Sequence, residues 1–270
     1  VLFVGSQAGL TPEELAVLAA QSATAVLQHH YNASLSQQAQ VASAAVAVAL
    51  TNASLTPAEE ALLTGASVLT ALRSGSGCDA ELVAHAGEAA QSVASRTSMN
   101  VSDQAATSGQ AAAQAAANCS MSPAMQAQLA GAAAAAAGAT ANLSSEEQTA
   151  LAGQAASVAA IAAGLTAEQA AQAAGAAAAS TAQNVGLSPE LQTSLAATAA
   201  AQAANVNQLS AQKQAELAGE AAASAGALAV ANMSMTELAS AAGSAVLFVG
   251  SQAGLTPEEL AVLAAQSATA

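Results

Sequence analysis

Six Asn-x-Ser tripeptides are the residues best suited to carry chemistry: Asn32-Ala-Ser, Asn52-Ala-Ser, Asn100-Val-Ser, Asn118-Cys-Ser, Asn142-Leu-Ser and Asn232-Met-Ser. None has proline in the middle, so each fits the acceptor pattern for an N-linked glycan. The chain has two cysteines, Cys78 and Cys119. A bridge between them would point to an oxidising compartment. The alternative is a pair of small buried thiols. Three histidines, His29, His30 and His85, and seventeen acids complete the reactive groups. A metal or catalytic role for the histidines would need a third ligand or converging carboxylates. His29 and His30 are adjacent, so a helix would point them to different sides. A helix C-terminus favours them electrostatically without any chemistry. There is no G-x-S-x-G, H-E-x-x-H, phosphate loop, dinucleotide fingerprint or C-x-x-C. The expectation is a non-enzyme with no catalytic residue, cofactor or metal.

The sequons have a competing explanation in helix-capping chemistry. Caps favour Ser, Thr, Asp and Asn, so Asn just ahead of Ser arises from turn grammar alone. In three sequons the serine (Ser102, Ser144, Ser234) reads as the cap itself. Glycosylation is still expected, because every site falls in a turn where sugar meets solvent.

These sites must be positioned by a chain of unusual composition. About one residue in three is alanine, only Phe3, Tyr31 and Phe248 are aromatic, and the net charge is −14. A core of ordinary Leu, Ile, Val and Phe content is out of reach, so backbones must lie close together. N-cap residue types recur ahead of Pro- or acid-rich turns at Thr11, Ser36, Thr56, Asp79, Ser102, Ser122, Ser144, Thr166, Ser188, Ser210, Ser234 and Thr256, about every 22 residues. All five prolines follow a cap by one residue, where the missing N–H costs nothing. Fourteen of the seventeen acids lie at the cap or in the first turn, as the helix dipole favours. The repeating unit is one helix of about 17 residues, roughly 26 Å long, plus a short turn. Helices this short are marginal alone, so stacking must stabilise them. The expected fold is an all-α, Ala-rich α-solenoid of single-helix ~22-residue repeats with antiparallel neighbours.

The contacts can also be read. Nine residues beyond the cap stand Gly65, Gly131, Gly153, Gly175, Gly219 and Gly243, with Ala20, Ala45, Ala111 and Ala197 in other repeats and Glu88 as the exception. Glycine inside a helix costs about 1 kcal/mol against alanine. Its recurrence at one phase implies close helix packing there. Leucine at seven beyond the cap (Leu18, Leu63, Leu129, Leu151, Leu195, Leu217) reads as the main core side chain. Cys78 and Cys119 fall in turns two apart, which share an edge in an up-down array. A Cys78–Cys119 disulfide is therefore expected.

Residues 1–25 recur letter for letter as 246–270, 245 residues later. Residues 1–270 thus read as one continuous array and a slice of a longer tandem repeat. Residues 1–245 would be one superrepeat block of about eleven helices, and 246–270 the start of the next. Three basic residues, Arg73, Arg96 and Lys213, argue against a nucleic-acid surface. Glutamines, a Ser-Pro cap and the lack of an aromatic belt argue against a membrane span. Lipid-binding helices need interfacial basic residues, and ice-binding helices need a regular threonine row; neither is present. The functional expectation is a structural protein: an extracellular or cell-surface filament, N-glycosylated, whose partners are neighbouring repeats, other copies of the filament and its glycans. The rivals are a solenoid scaffold that binds proteins and an intracellular spacer.

Overall fold

The computed structural model describes residues 9–30, 33–73, 77–229 and 233–267. They form twelve helices: α1 (Pro12–His30), α2 (Leu35–Leu50), α3 (Pro57–Arg73), α4 (Ala80–Ala94), α5 (Val101–Asn118), α6 (Pro123–Thr140), α7 (Ser145–Ala162), α8 (Ala167–Asn184), α9 (Pro189–Val206), α10 (Ala211–Leu228), α11 (Met235–Gln252) and α12 (Pro257–Ser267). No strand occurs among the described residues. The fold is the expected all-α solenoid of single-helix repeats. The helices divide into two compact units, α1–α5 within residues 1–122 and α6–α12 within 123–270. Inside each unit every helix packs against the next and the next but one. Helix α11 runs without interruption through the 245/246 block joint.

Ten of the twelve helices start at the expected caps; two start earlier. Helix α2 is capped by Ser34 instead of Ser36, and α5 by Asn100 instead of Ser102. The reason lies three residues on. A cap is strengthened when the N3 side chain bonds back to the cap's own N–H or side chain. Ser34 has Gln37 at that place, which accepts from the Ser34 N–H at 3.0 Å. Asn100 has Asp103, and its Nδ2 donates to Asp103 Oδ2 at 2.7 Å. Ser36 and Ser102 would have alanine there, Ala39 and Ala105. Leu35 and Val101 are thus first-turn helical residues. The corrected caps space more evenly: Ser34, Thr56, Asn100, Ser122, Ser144, Thr166, Ser188 and Ser210 all differ by 22 residues or a multiple of it.

Five turns of the second unit are built alike. Asn142, Gly164, Gly186, Gln208 and Gly254 all take positive φ, between 59° and 85°. The next residue, Leu143, Leu165, Leu187, Leu209 or Leu255, donates its N–H five residues back into the preceding helix at 2.9–3.0 Å. This is the Schellman arrangement, which satisfies the last helical carbonyls. A glutamine four residues past the cap then closes the turn from the other side. Nε2 of Gln148, Gln192 and Gln214 donates to the carbonyl of Leu143, Leu187 and Leu209 at 2.7–2.8 Å. Gln38 and Gln104 do the same to Ala33 and Met99 in the first unit, at 2.8 Å. The sequence reading missed this glutamine, although its recurrence at 104, 126, 148, 192 and 214 is visible in the repeat.

Alanine methyl groups fill most of the core, joined in the first unit by Leu50, Leu69, Leu72 and Leu82 and by Val46, Val68, Val83 and Val93, and one three-way contact recurs through it. A Cβ built on Gly131 would lie 2.8 Å from Ala177 Cβ and 2.9 Å from the Ala152 carbonyl oxygen. At Gly153 the partners are Ala199 Cβ (2.7 Å) and Ala174 O (3.3 Å), and at Gly175 they are Ala221 Cβ (2.8 Å) and Ala196 O (3.3 Å). In each case the glycine stands nine past its cap. The carbonyl stands eight past the next cap, and the alanine eleven past the cap after that. Gly65 repeats the pattern in the first unit, with Ala86 O at 2.8 Å and Ala111 Cβ at 3.2 Å. Gly219 meets Val246 Cγ2 at 2.7 Å and Ser267 Cβ at 3.0 Å. With α5 capped at Asn100, its +9 residue becomes Gly109, also buried, in place of Ala111. The corresponding residue of α2 becomes Ser43 in place of Ala45, and its hydroxyl lies 3.0 Å from Ser92 Oγ of α4. Gly243 departs from the set. It is half-buried, and the nearest atom to its built Cβ is Ala264 O at 3.7 Å.

The leucines seven past the cap are not the core. Only Leu217, at 2 % exposure, and Leu263 of α12, at 5 %, are buried, while Leu18 is 41 % exposed and Leu63, Leu129, Leu151 and Leu195 are half-buried. Backbones brought together over glycine leave no room for a leucine between them. It packs instead at the rim, as Leu151 does over Gly138, where a built Cβ would meet its Cδ1 at 3.3 Å.

The packing assigns opposite signs to two glycine exchanges. Gly153→Ala gains about 1 kcal/mol of helix propensity but drives a methyl group into Ala199. Overpacking of this kind costs about 1–3 kcal/mol, so the urea midpoint should fall. Gln208→Gly relieves a left-handed residue and should raise the midpoint by about 1 kcal/mol in stability. A Gly153→Ala protein as stable as the parent would remove the close-packing argument.

Candidate functional site: the sequon turns and the Cys78–Cys119 bridge

Four of the six sequons lie among the described residues, and all four asparagines are exposed. Their local structures differ. Asn52 lies in the turn after α2, with Ser54 also exposed. Asn100 is the cap of α5, accepting from Asp103 N at 2.8 Å. Asn118 is the last residue of α5, followed by Cys119 and by Ser120 with φ +55°. Asn142 is the left-handed turn residue itself, φ +59°. Its sequon serine, Ser144, caps α7 and donates to Glu147 Oε2 at 2.7 Å. Asn32 and Asn232 lie outside the described residues.

Cys78 and Cys119 form a disulfide, with Cα atoms 5.5 Å apart. Cys78 precedes the cap of α4, and Cys119 ends α5. The bridge therefore ties the start of one helix to the end of its neighbour on the same edge of the first unit. Arg73, the last residue of α3, reinforces that edge by donating from Nη1 to the Asn118 carbonyl at 3.2 Å. A guanidinium suits this place, because the final carbonyls of a helix carry its negative end.

The ionisable groups are spread along the array. His29 and His30 end α1. His85 is buried in α4, with Nδ1 2.8 Å from Glu88 Oε2 and Nε2 3.9 Å from Glu81 Oε1. Glu88 turns outward at the +9 place, and Gly87 takes the buried position beside it, where its carbonyl accepts from Ser108 Oγ at 3.0 Å. Lys213 Nζ lies 3.2 Å from Glu216 and 3.8 Å from Glu168 of the next-but-one helix. The hydrogen bond to Glu216 is the main reason its pKa is raised. Among the described residues no three His, Cys, Asp or Glu side chains stand together as a metal site would require. No described helix is long and apolar enough to cross a membrane. In the second unit an open groove of about 430 Å³ lies between α9 and α11, bordered by Glu190, Thr193, Ala197, Glu237, Ser244 and the half-exposed ring of Phe248. Here the +9 residue of α9 is Ala197, not glycine.

The caps carry the clearest electrostatics. The Ser144 hydroxyl and then its backbone N–H hold the Glu147 carboxyl below the ordinary glutamate value. The backbone N–H and then the hydroxyl of the cap do the same for Glu59 at Thr56, Glu237 at Ser234 and Glu259 at Thr256. A carboxyl depressed in the folded state stabilises it above the unfolded pKa, and that contribution is lost as pH falls through the folded value. Helix stability should therefore drop below about pH 4.5. Glu147→Gln should flatten this dependence while keeping the cap, since Gln37 and Gln169 already close boxes of the same shape. A pH profile unchanged by Glu147→Gln, Glu237→Gln and Glu259→Gln together would contradict this.

The bridge closes a loop with a sequence separation of 41. On the chain-entropy model this is worth about 4 kcal/mol. Exchange of both Cys78 and Cys119 for serine should lower the unfolding midpoint of the first unit accordingly and leave the second unchanged. Limited proteolysis with and without reductant reads the two units separately.

No protein-family model and no curated protein matches the chain.

Proposed function

We propose that the chain is a structural protein, a tandem Ala-rich α-solenoid that builds an extracellular or cell-surface filament carrying N-linked glycans. The observation that carries this reading is the recurring contact of glycine at +9, carbonyl at +8 and alanine at +11. Helix after helix devotes its small residues to one self-complementary packing rule, which is what a repeating mechanical element needs. The letter-for-letter return of residues 1–25 at 246–270 supports the same reading, since an identical block repeats an identical interface. The disulfide supports an oxidising compartment. The exposed asparagines at 52, 100, 118 and 142 support glycosylation, because sugar attached there meets solvent and not the core. Such sugar would cover an alanine surface that has few charges of its own.

The reading is tested by secretion from a eukaryotic host and intact-mass measurement before and after treatment with an endoglycosidase that removes N-glycans. The expected result is a mass well above the 25.5 kDa of the bare chain, falling to near it on treatment. Site mapping should find Asn52 among the occupied positions. A secreted chain at its bare mass would overturn the glycosylated-filament reading in favour of an unmodified spacer.

A further inference from the structure

Asn118 differs from the other sequon asparagines in one respect: the residue between it and its serine is a cysteine. In Asn118-Cys119-Ser120 that middle residue is bonded to Cys78, just ahead of α4. The tripeptide is also curled into the end of α5. Asn118 is helical, Cys119 has φ −85° and ψ 6°, and Ser120 takes φ +55°. The N–H groups of Cys119, Ser120 and Met121 donate to the carbonyls of Ala115, Ala117 and Ala116 at 2.9–3.0 Å. Arg73 holds the Asn118 carbonyl from α3.

An enzyme that glycosylates a sequon must reach the asparagine amide and the serine hydroxyl together, so it takes the tripeptide as an opened segment. A turn held by hydrogen bonds opens locally and recloses. A covalent bridge does not open with it, and it keeps the Cα atoms of Cys119 and Cys78 5.5 Å apart. Asn142 is the matched case. Its turn has the same kind of closing bond, Leu143 N–H to Gly138 O at 3.0 Å, and no cysteine.

We propose that the Cys78–Cys119 bridge controls the modification of Asn118: the site accepts a glycan only before the bridge closes. Two reactions then compete for one turn. In glycosylation, Asn118 Nδ2 bonds to the anomeric carbon of a sugar carried on a lipid pyrophosphate. The bond from that carbon to the pyrophosphate oxygen breaks, and the amide proton leaves with the pyrophosphate. In oxidation, the disulfide of a carrier protein exchanges with Cys78 and Cys119. The two thiols give up two protons and two electrons, the Sγ–Sγ bond forms, and the carrier leaves as a dithiol. Synthesis runs from the N-terminus, so Cys78 is already waiting when the tripeptide is made. The competition is one-way. Asn118 is exposed in the bridged structure, so a glycan placed first has room and the bridge still closes. This rests on the reading of the chain as N-glycosylated in an oxidising compartment, and it names what regulates one of those sites.

The test is site-by-site glycan occupancy at Asn52, Asn100, Asn118 and Asn142, read by peptide mass spectrometry of the full chain recovered from inside a eukaryotic secretory host. Cys78→Ser removes the bridge and leaves the tripeptide intact. In the parent, Asn118 should be occupied less than Asn52. Cys78→Ser should raise Asn118 to the level of Asn52 and leave Asn52 and Asn142 as they were. Asn100 caps the same helix and should not move either, which separates the bridge from a general loosening of the first unit. A membrane-permeant reductant given to cells making the parent should produce the same rise, with no substitution to disturb folding. Equal Asn118 occupancy in the parent and in Cys78→Ser overturns the proposal, as does a rise shared with Asn100. An Asn118 that ignores the bridge while Asn52 stays occupied leaves the glycosylated-filament reading standing. Sequons that are empty in every chain overturn both.

Discussion

The close approach of backbones over glycine is the constraint on which the rest of the structure depends. Each crossing joins three successive helices, through a hydrogen atom, a carbonyl oxygen and a methyl group. Dispersion is strong only at contact distance. Small side chains can hold a protein together only if nothing keeps the helices apart, so every other choice follows. Most leucines at +7 go to the rim, turns must be short, and the helices must keep register so that +9, +8 and +11 meet. The sequence keeps that register with a 22-residue period. Where α4 takes its cap at Asp79, one residue late, the buried glycine moves to Gly87 and the phase is restored.

A core of methyl groups contributes little per residue, so the ends of the helices matter more than in an ordinary domain. Many ends are closed by such local bonds. Schellman turns satisfy the last carbonyls of α5–α9 and α11. Caps with a Glu or Gln three residues on satisfy the first N–H groups of α2, α7, α8 and α11, and the glutamine at +4 ties the turn to the helix it begins in α2, α5, α7, α9 and α10. In the first unit the Cys78–Cys119 bridge and the Arg73–Asn118 contact add to the same edge. That unit also departs most from the ideal repeat, with the cap of α4 one residue late and His85 buried in that helix. The covalent tie falls where the packing rule is least regular.

Much of this was legible in the residues. Proline one past the cap, acid in the first turn and the 22-residue spacing fixed the helix count and ten of the twelve starts. Two starts were misread because Ser34 and Ser36, or Asn100 and Ser102, are equally good caps in isolation, and only the residue three places on decides between them. That error hid Gly109 from the +9 set. Leucine at +7 was misjudged because periodicity shows which side faces a neighbour and not how much space lies there. The +4 glutamine escaped because a polar residue at a recurring phase reads as surface, and its burial follows only once the turn folds over it. The cysteine pairing followed from edge parity, a property of the topology and not of local sequence. What each sequon does is less legible, because Asn52, Asn100, Asn118 and Asn142 fall in four different backbone settings that the shared tripeptide does not distinguish.

The alanine core has a thermal consequence. The heat capacity of unfolding scales with the apolar area that opens to water. Methyl groups set close to backbone expose little such area and much peptide, and the two contribute with opposite sign. The curve of stability against temperature should then be broad and shallow, with cold weakening the array less than it weakens a leucine-filled domain. Small residues chosen for close contact would thereby also flatten the dependence of folding on temperature.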